Sequence, residues 1–381
     1  MGDGRHETRT TAAVDPVIRA RGVLPALRSD AAASDRRNRL TVSVLAALGS
    51  AGLLGLRGTE GRDGRQLDCN TIGAVVATLA EEHASAAWVV GSFARAAVQV
   101  AADPVLARAA SEHGEGLLIA DAHGAPARAA AVKGGFRLTG LWHSVPGSAH
   151  ADLALVSFVL PGGDPEHPVR AVLPMPQLTR HETWDAAGAR GASPETLEAE
   201  GVFVRADAVG AAGLRRGYDP AHAIVPASTV VGAASGALDH ALASVRNRPW
   251  PGTRYETAAE SATIQGKLTD AAMHISSARL HLHRAATSAD RYAADAAAMP
   301  PEVRIRSRVD IGCATSAAVS ALDSVMSAIG AQAVAETAPF ERAWRDVQTL
   351  SRHAAVDPLT AREAFGHFLV GRGGALHEIP L

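Results

Sequence analysis

Between residues 118 and 212 the apolar residues alternate with polar ones, whereas on both sides of that block they recur at helical spacing. Alternation places every second side chain on one face of a strand, and a 3.6-residue period draws a stripe along a helix. A fold for this chain must therefore set one β unit between two helical ones. In the first helical block, "RNRLTVSVLAALGSAGLLGL" puts Leu40, Val44, Leu45 and Leu48 on one face and ends in glycines. "NTIGAVVATLAEEHASAAWVVGSFARAAVQVA" continues the period, with Asn70 as its expected N-cap. The β block opens on "GGFRLTGLWHSVPGSAHADLALVSFVLPGG", continues through "VRAVLPM", "LTRHETWD" and "GVFVRADAV", and closes near Ala212. From about Pro226 to Gly371 long helical segments return, with lengths that suit a four-helix bundle. Residues 1–20 read as a loose polar leader without the apolar core of a secretory signal.

The 381 residues allow two or three units, at roughly 100–200 residues each. A net charge of −2 gives no bulk attraction to nucleic acid or membrane. No run of about 18 uncharged apolar residues is evident, so no transmembrane helix is expected. Aromatics make up only 4%, and the many alanines favour closely packed helices. Cys69 and Cys313 are too few and too far apart for a disulfide framework or zinc cluster, and they fit a reducing cytoplasm. No GxGxxG follows a strand, and no Walker A or GxSxG sequence is present. In "HISSARLHLH", His281 and His283 are two residues apart and do not share a helix face, so metal binding is not expected.

Several stretches in this order resemble the acyl-CoA dehydrogenase superfamily over residues 22–372. They are "ALGSAGLLGL", "ASAAWVVGSF", "GGFRLTGLWHSVPGSAHADLALV", "TWDAAGARGAS", "GVFVRADAV" and "APFERAWRDVQTLSRHAAVDPLTAREAFGHFLVG". The resemblance is nearest to the branch of two-component, reduced-flavin monooxygenases. It implies a mainly α protein with a central β domain. An N-terminal helical domain (22–117), a small β-barrel or sandwich (118–212) and a C-terminal four-helix bundle (222–372) would enclose a flavin in their cleft. Homotetramers form through the bundle in this family.

The same resemblance supplies expectations for the chemistry. Dehydrogenases of the superfamily often carry a Glu-Gly-Thr base after the Arg-Asp pair. Here Arg345-Asp346 is followed by "VQTLSRHAAVD" without one. The monooxygenase branch carries a histidine at the position of His353, where an imidazole titrating near neutrality can handle the substrate's proton. Without the resemblance His353 reads as a partly exposed residue at a helix end; with it, His353 is the expected catalytic group. Arg345 and Asp346 are expected in ion pairs or caps. Trp88 is expected at the border of the substrate pocket or in the core.

Family members carry Ser or Thr where Pro146 stands, to meet the flavin edge. Proline has neither hydroxyl nor N–H. Ser144 or Ser148 would then substitute, with Gly147 allowing close backbone approach. "GARGAS" resembles the family's flavin-contacting loop, with Ser193 keeping a hydroxyl. Arg246 and Arg254 (with Arg248 between them) are the expected phosphate contacts of a neighbouring subunit. A Gln-x-x-Gly-Gly motif that grips the adenine half of FAD is missing from "SAIGAQAVAE", which favours FMN over FAD. The function so implied is a flavin-dependent monooxygenase, a hydroxylase or N-oxygenase. It would act on a small organic substrate with O2 and FMNH2 delivered by a separate reductase. An FAD-dependent acyl-CoA dehydrogenase, and a flavin-free member with a binding or non-redox role, are the alternatives.

Overall fold

Four times in this chain an aspartate precedes a proline at the start of a helix: Asp15-Pro16, Asp103-Pro104, Asp219-Pro220 and Asp357-Pro358. Each aspartate accepts a hydrogen bond from the backbone of the first turn, and each proline occupies the first helical position, where its missing N–H costs nothing. The computed structural model describes residues 14–56, 67–211, 219–293 and 299–371.

Five helices come first: α1 (Pro16–Arg36), α2 (Val42–Ser50), α3 (Cys69–Ala80), α4 (Ala84–Ala102) and α5 (Pro104–Ser111). Residues 16–20 are thus helical rather than a loose leader, because Asp15 and Pro16 start α1. The cap of α3 is Asp68, whose side chain accepts from Thr71 N–H at 2.7 Å; Asn70 lies inside the first turn. Asn70 and Cys69 are instead held by Asp290 at the far end of the chain's seventh helix. Its carboxylate accepts their backbone N–H groups at 3.1 and 2.6 Å. The long helical run of the second segment is broken at Glu81–His83 into α3 and α4.

Six strands follow: β1 (Ile119–Val132), β2 (Gly135–Val145), β3 (Leu153–Val159), β4 (Val169–Pro174), β5 (Thr179–His181) and β6 (Glu195–Arg205). They form one sheet in the order β4-β3-β1-β2-β6-β5. Only β1 and β3 run parallel, with Ile119 opposite Leu153, and their register shifts between Ala122 and Ala127. β2 buries Leu138, Trp142 and Val145 on one face, and the Trp142 indole N–H donates to the Ser157 carbonyl at 3.0 Å.

The chain then forms α6 (Pro220–Val245), α7 (Ala262–Arg291), α8 (Pro301–Ile329), α9 (Pro339–Leu350) and α10 (Pro358–Leu369). α6, α7 and α8 pack on one another, α10 lies on α8 and α9 on α6. Two segments, Pro220–Val245 and Pro301–Val334, do reach a mean hydropathy of 1.3 over 18 residues, which the sequence expectation missed. In the first, 89% of that window is buried inside the protein, so its apolar character serves the core.

Close approach of α6 to α3 depends on two glycines one helical turn apart. A Cβ at Gly236 would lie 1.8 Å from the Glu81 carbonyl oxygen, and one at Gly232 would lie 2.2 Å from that of Ala77. Both obstacles are backbone and cannot rotate away. Gly236→Ala is expected to cost about 1–3 kcal/mol or more, by analogy with overpacked cores. Denaturant unfolding checks this, and a Gly232→Ala/Gly236→Ala double mutant should be less stable than either single variant.

Candidate active site

Where α4, the ends of β1 and β2, the start of α6 and the turn after α9 meet, they enclose a cavity of about 350 Å³. α4 is buried on nearly every side and carries one charged residue, Arg95. Trp88, Ser92 and Arg95 recur at intervals of four and three, so one face of α4 lines the cavity. His83 caps that helix by accepting Ala86 N–H on Nδ1, and burial pushes its pKa down to about 3, so it caps as a neutral ring.

His353 lies in the turn that follows α9, and its ring lines the cavity. Its Nδ1 accepts the backbone N–H of Ala355 at 3.2 Å, so in the neutral ring the proton sits on Nε2. The ring meets Trp88 edge-on at 6.2 Å between centroids, and a second imidazole, His222, lies 5.6 Å away. Ser144 and Pro146 line the same cavity. Ser144 holds a left-handed backbone at φ 55° and Gly147 one at φ 74°. That turn brings the chain directly over α4: a Cβ on Gly147 would meet the Phe93 ring at 2.8 Å.

The other expected site residues stand elsewhere. Ser148 and Ser193 are buried behind the cavity, and neither lines it. Ser148 donates to the Ser193 carbonyl at 3.4 Å and to Glu195 Oε2 at 3.3 Å, while Ser193 donates to Glu195 Oε1 at 3.2 Å. Their hydroxyls are committed to a buried carboxylate because the two loops fold onto β6. Arg246 lies exposed at the end of α6, along a groove with α7, and Arg254 stacks on Tyr255 at the surface. Neither reaches the cavity of its own chain. His281 pairs with Asp310 and His283 with Asn70, and no metal-binding cluster exists among the described residues.

Arg345 and Asp346 are structural, as their sequence suggested. Arg345 bridges Asp35 of α1 at 2.9 Å and Glu341 one turn back, and also donates to the Ala187 carbonyl. Asp346, 4% exposed, accepts the N–H of Ala189 at 2.6 Å. Residue 188 must be glycine there, because a Cβ would lie 2.2 Å from the Arg345 carbonyl oxygen.

A charge cluster that the sequence reading missed completes the cavity wall. Arg95, 6% exposed, pairs with Asp121 of β1 and with Asp219, the cap of α6, each at 3.3 Å. Its Nε–H donates to His222 Nδ1 at 3.1 Å. Arg170 of β4 feels both carboxylates, and burial holds its guanidinium below the ordinary arginine range. Arg308 of α8, 6% exposed, is a further cation on the lining of this cavity. A lone arginine in an otherwise apolar helix, seven residues after Trp88, was the available signal.

Trp88, Val225, Pro226, Ala354 and Ala355 give the cavity apolar walls, and Ser92, Ser144, His143, His222 and His353 give a polar edge.

Desolvation raises the Asp346 pKa from 3.8 to about 6. A raised folded-state pKa means stability is full below about pH 4 and declines as pH rises through 6. Asp346→Asn keeps an acceptor for Ala189 and carries no charge. Relative to wild type it should gain about 2–3 kcal/mol between pH 4 and 7, measured as the difference in unfolding free energy at each pH. A difference that does not vary with pH would show that Asp346 is ionised throughout.

Comparison with known proteins agrees with this geometry. Residues 224–358 match the family described as acyl-CoA dehydrogenase, C-terminal domain. The oxygenase subunit HsaA of a flavin-dependent monooxygenase from Rhodococcus jostii (strain RHA1) is 29% identical over 255 residues, 62% of this chain and 66% of that one. The chain therefore spans just under two thirds of that relative's length. The oxygenase component of an FADH2-dependent resorcinol hydroxylase from Rhizobium sp. (strain MTP-10005) is 26% identical over 97% of this chain and 98% of that one. The structure of XiaF from Streptomyces sp., in complex with FADH2 and glycerol, superposes with a TM-score of 0.83 at 28% identity, covering 93% of this chain and 95% of that one. Over residues 224–358 the chain matches the acyl-CoA dehydrogenase C-terminal domain family, and as a whole it is similar in sequence and fold to oxygenase components of flavin-dependent monooxygenases.

Proposed function

We propose that this protein is the oxygenase component of a two-component monooxygenase, inserting one oxygen atom of O2 into a small organic substrate. The observation that carries the reading is the cavity shared by His353, Trp88 and the Ser144–Gly147 turn. A reduced flavin bound there would supply the two electrons and the site of O2 activation. FMNH2 is the favoured form, because the Gly-Gly doublet that grips an adenine half is missing, while two relatives carry FADH2 in their names. A separate reductase delivers the flavin.

The chain's own residues have definite tasks. The backbone of residues 144–147 and the Ser144 hydroxyl hold the ring edge that Pro146 cannot serve. Trp88, Val225 and the alanines after His353 exclude water. His353 holds a proton at Nε2, fixed there by the bond from Ala355 to Nδ1, and presents it to the reacting oxygen of the substrate. Three units, helical, β and helical, divide the chain on this reading. Assembly into a cytoplasmic homotetramer would place Arg246 and Arg254 at a partner's flavin phosphate. The exposed Met273 and Leu280 of α7 support such an assembly, being 67% and 70% accessible in the single chain.

A second reading rests on Pro146, which lacks both donors expected at the flavin edge. It makes the protein a flavin-free member that binds a small molecule. Anaerobic titration with FMNH2, FMN and FAD separates the two. Tight FMNH2 with weak oxidised forms is expected; tight FAD would indicate a dehydrogenase, and no flavin binding would establish the second reading. His353→Ala should bind FMNH2 within about threefold of wild type yet lose about 10²–10⁴ in product formation, with O2 consumed to hydrogen peroxide instead. Product at the wild-type rate would remove His353 from the mechanism.

A further inference from the structure

Between Trp142 and Val145 the register of β2 against β6 shifts. Trp142 lies opposite Leu197 and Val145 opposite Glu195, so His143 and Ser144 together face Thr196. Two residues against one is a β-bulge, a device that re-aims side chains beside a site. Trp142 and Val145 are both buried in the core, and the two residues between them line the cavity. His143 is thus a third imidazole there, beside His222 and His353.

Its ring is tied across the sheet. Nδ1 lies 3.1 Å from the Thr196 hydroxyl oxygen, and that oxygen lies 2.7 Å from the hydroxyl of Thr183. Thr196 is 3% exposed, while Thr183 stands at the surface just past β5. β5 is an outer strand of the sheet. The three groups therefore start in the cavity, pass one buried hydroxyl and end in solvent. Each of them both donates and accepts: a hydroxyl always does, and a neutral imidazole carries one proton and one lone pair. Their hydrogen bonds can run in either direction, and reversing them carries a proton along the row without moving a heavy atom.

The oxygenation proposed above needs such a path. Reduced flavin is an anion at neutral pH. That anion, O2, the substrate and one proton give oxidised flavin, the hydroxylated substrate and water. The proton comes from solvent, yet the filled cavity has to keep water out. Resting on that reading, we infer that His143, Thr196 and Thr183 form a proton relay that joins the filled cavity to bulk water through the sheet. A proton from water reaches Thr183, Thr183 passes its own to Thr196, and Thr196 passes its own to His143 Nδ1. The ring then releases a proton from Nε2 into the cavity. Nothing is oxidised or reduced in this transfer.

A merely structural Thr196 would only hold the bulge in place. Thr196→Val keeps the shape and removes the hydroxyl, whereas Thr196→Ser keeps the hydroxyl. The test needs no known substrate, because without one the flavin anion, O2 and one proton give oxidised flavin and hydrogen peroxide. Reduced FMN bound to excess full-length protein is mixed with O2, and proton uptake is read with an indicator dye beside the absorbance of oxidised FMN. Thr196→Val should take up the proton about 10²-fold more slowly, the lower end of what a positioned proton donor contributes. Thr183→Val should slow it too, and Thr196→Ser should restore it. Added imidazole, a small proton carrier, should accelerate Thr196→Val in proportion to its concentration. Wild-type rates in Thr196→Val or Thr183→Val, or a slow Thr196→Val that imidazole does not accelerate, would overturn the proposal. Nitrogen-15 spectra of histidine-labelled, flavin-free protein give a second test. The His143 Nδ1 signal should move in Thr196→Val and stay in place in Thr196→Ser; a signal that Thr196→Val leaves unmoved would also overturn it. That readout needs no flavin, so its failure and a failure of the FMNH2 titration are separate results.

Discussion

The buried carboxylate of Asp346 accepts the N–H of Ala189, and the geometry of the cavity depends on that bond. The loop it fixes is strained: Ala189 and Ser193 both hold left-handed backbones at φ 56° and 43°, a region that costs a non-glycine residue roughly 1–2 kcal/mol. Gly188 pressed on the Arg345 backbone keeps the loop in contact with α9. The same loop accepts Gly147 N–H on the Ala192 carbonyl at 2.9 Å, and its Ser193 shares Glu195 with Ser148. α9 thereby sets the position of the β2 end, and the turn just beyond α9 carries His353. One rigid relay places both sides of the cavity, and the raised pKa of Asp346 is the electrostatic cost of burying its anchor.

Charge is handled differently at the opposite wall. Arg95 enters an otherwise uncharged helix and is paired with Asp121 and Asp219, while Arg170 lies near the same carboxylates and Arg308 lines the same cavity. Removing one member of such a set typically costs about 3–5 kcal/mol, since the others are left unpaired. The cluster joins α4, β1 and α6, one element from each of the three structural blocks. It therefore does for that wall what Asp346 does for the other. Asp290 does the same at the far end of α3, where its carboxylate takes two backbone N–H groups.

Residues with a committed structural partner account for most departures from the expected site. Ser148 and Ser193 carry hydroxyls in the right loops, yet Glu195 takes both. Glu195 is adjacent to Ser193 in structure and nearly so in sequence, but nothing in "GASPETLEAE" says that its carboxylate turns inward. His222 was overlooked for the converse reason. A histidine near a helix start is unremarkable until Arg95, 127 residues earlier, is found against it.

By itself the sequence determined the order of helical, β and helical blocks, because hydrophobic period depends only on neighbours along the chain. The Asp-Pro helix starts are likewise local hydrogen bonds, although the first of them was read as part of a loose leader, and the motifs carry the resemblance to the superfamily. Only the tertiary structure decided that α3 and α4 separate at Glu81–His83, where buried His83 caps the second helix. It alone decided that apolar α6 is a core helix. The pairing of His222 with His353, and of Arg95 with two carboxylates, belongs to it as well. Those pairings join residues more than a hundred positions apart, or acids to bases whose burial no local pattern encodes, and they exist only once the three blocks have closed on one another.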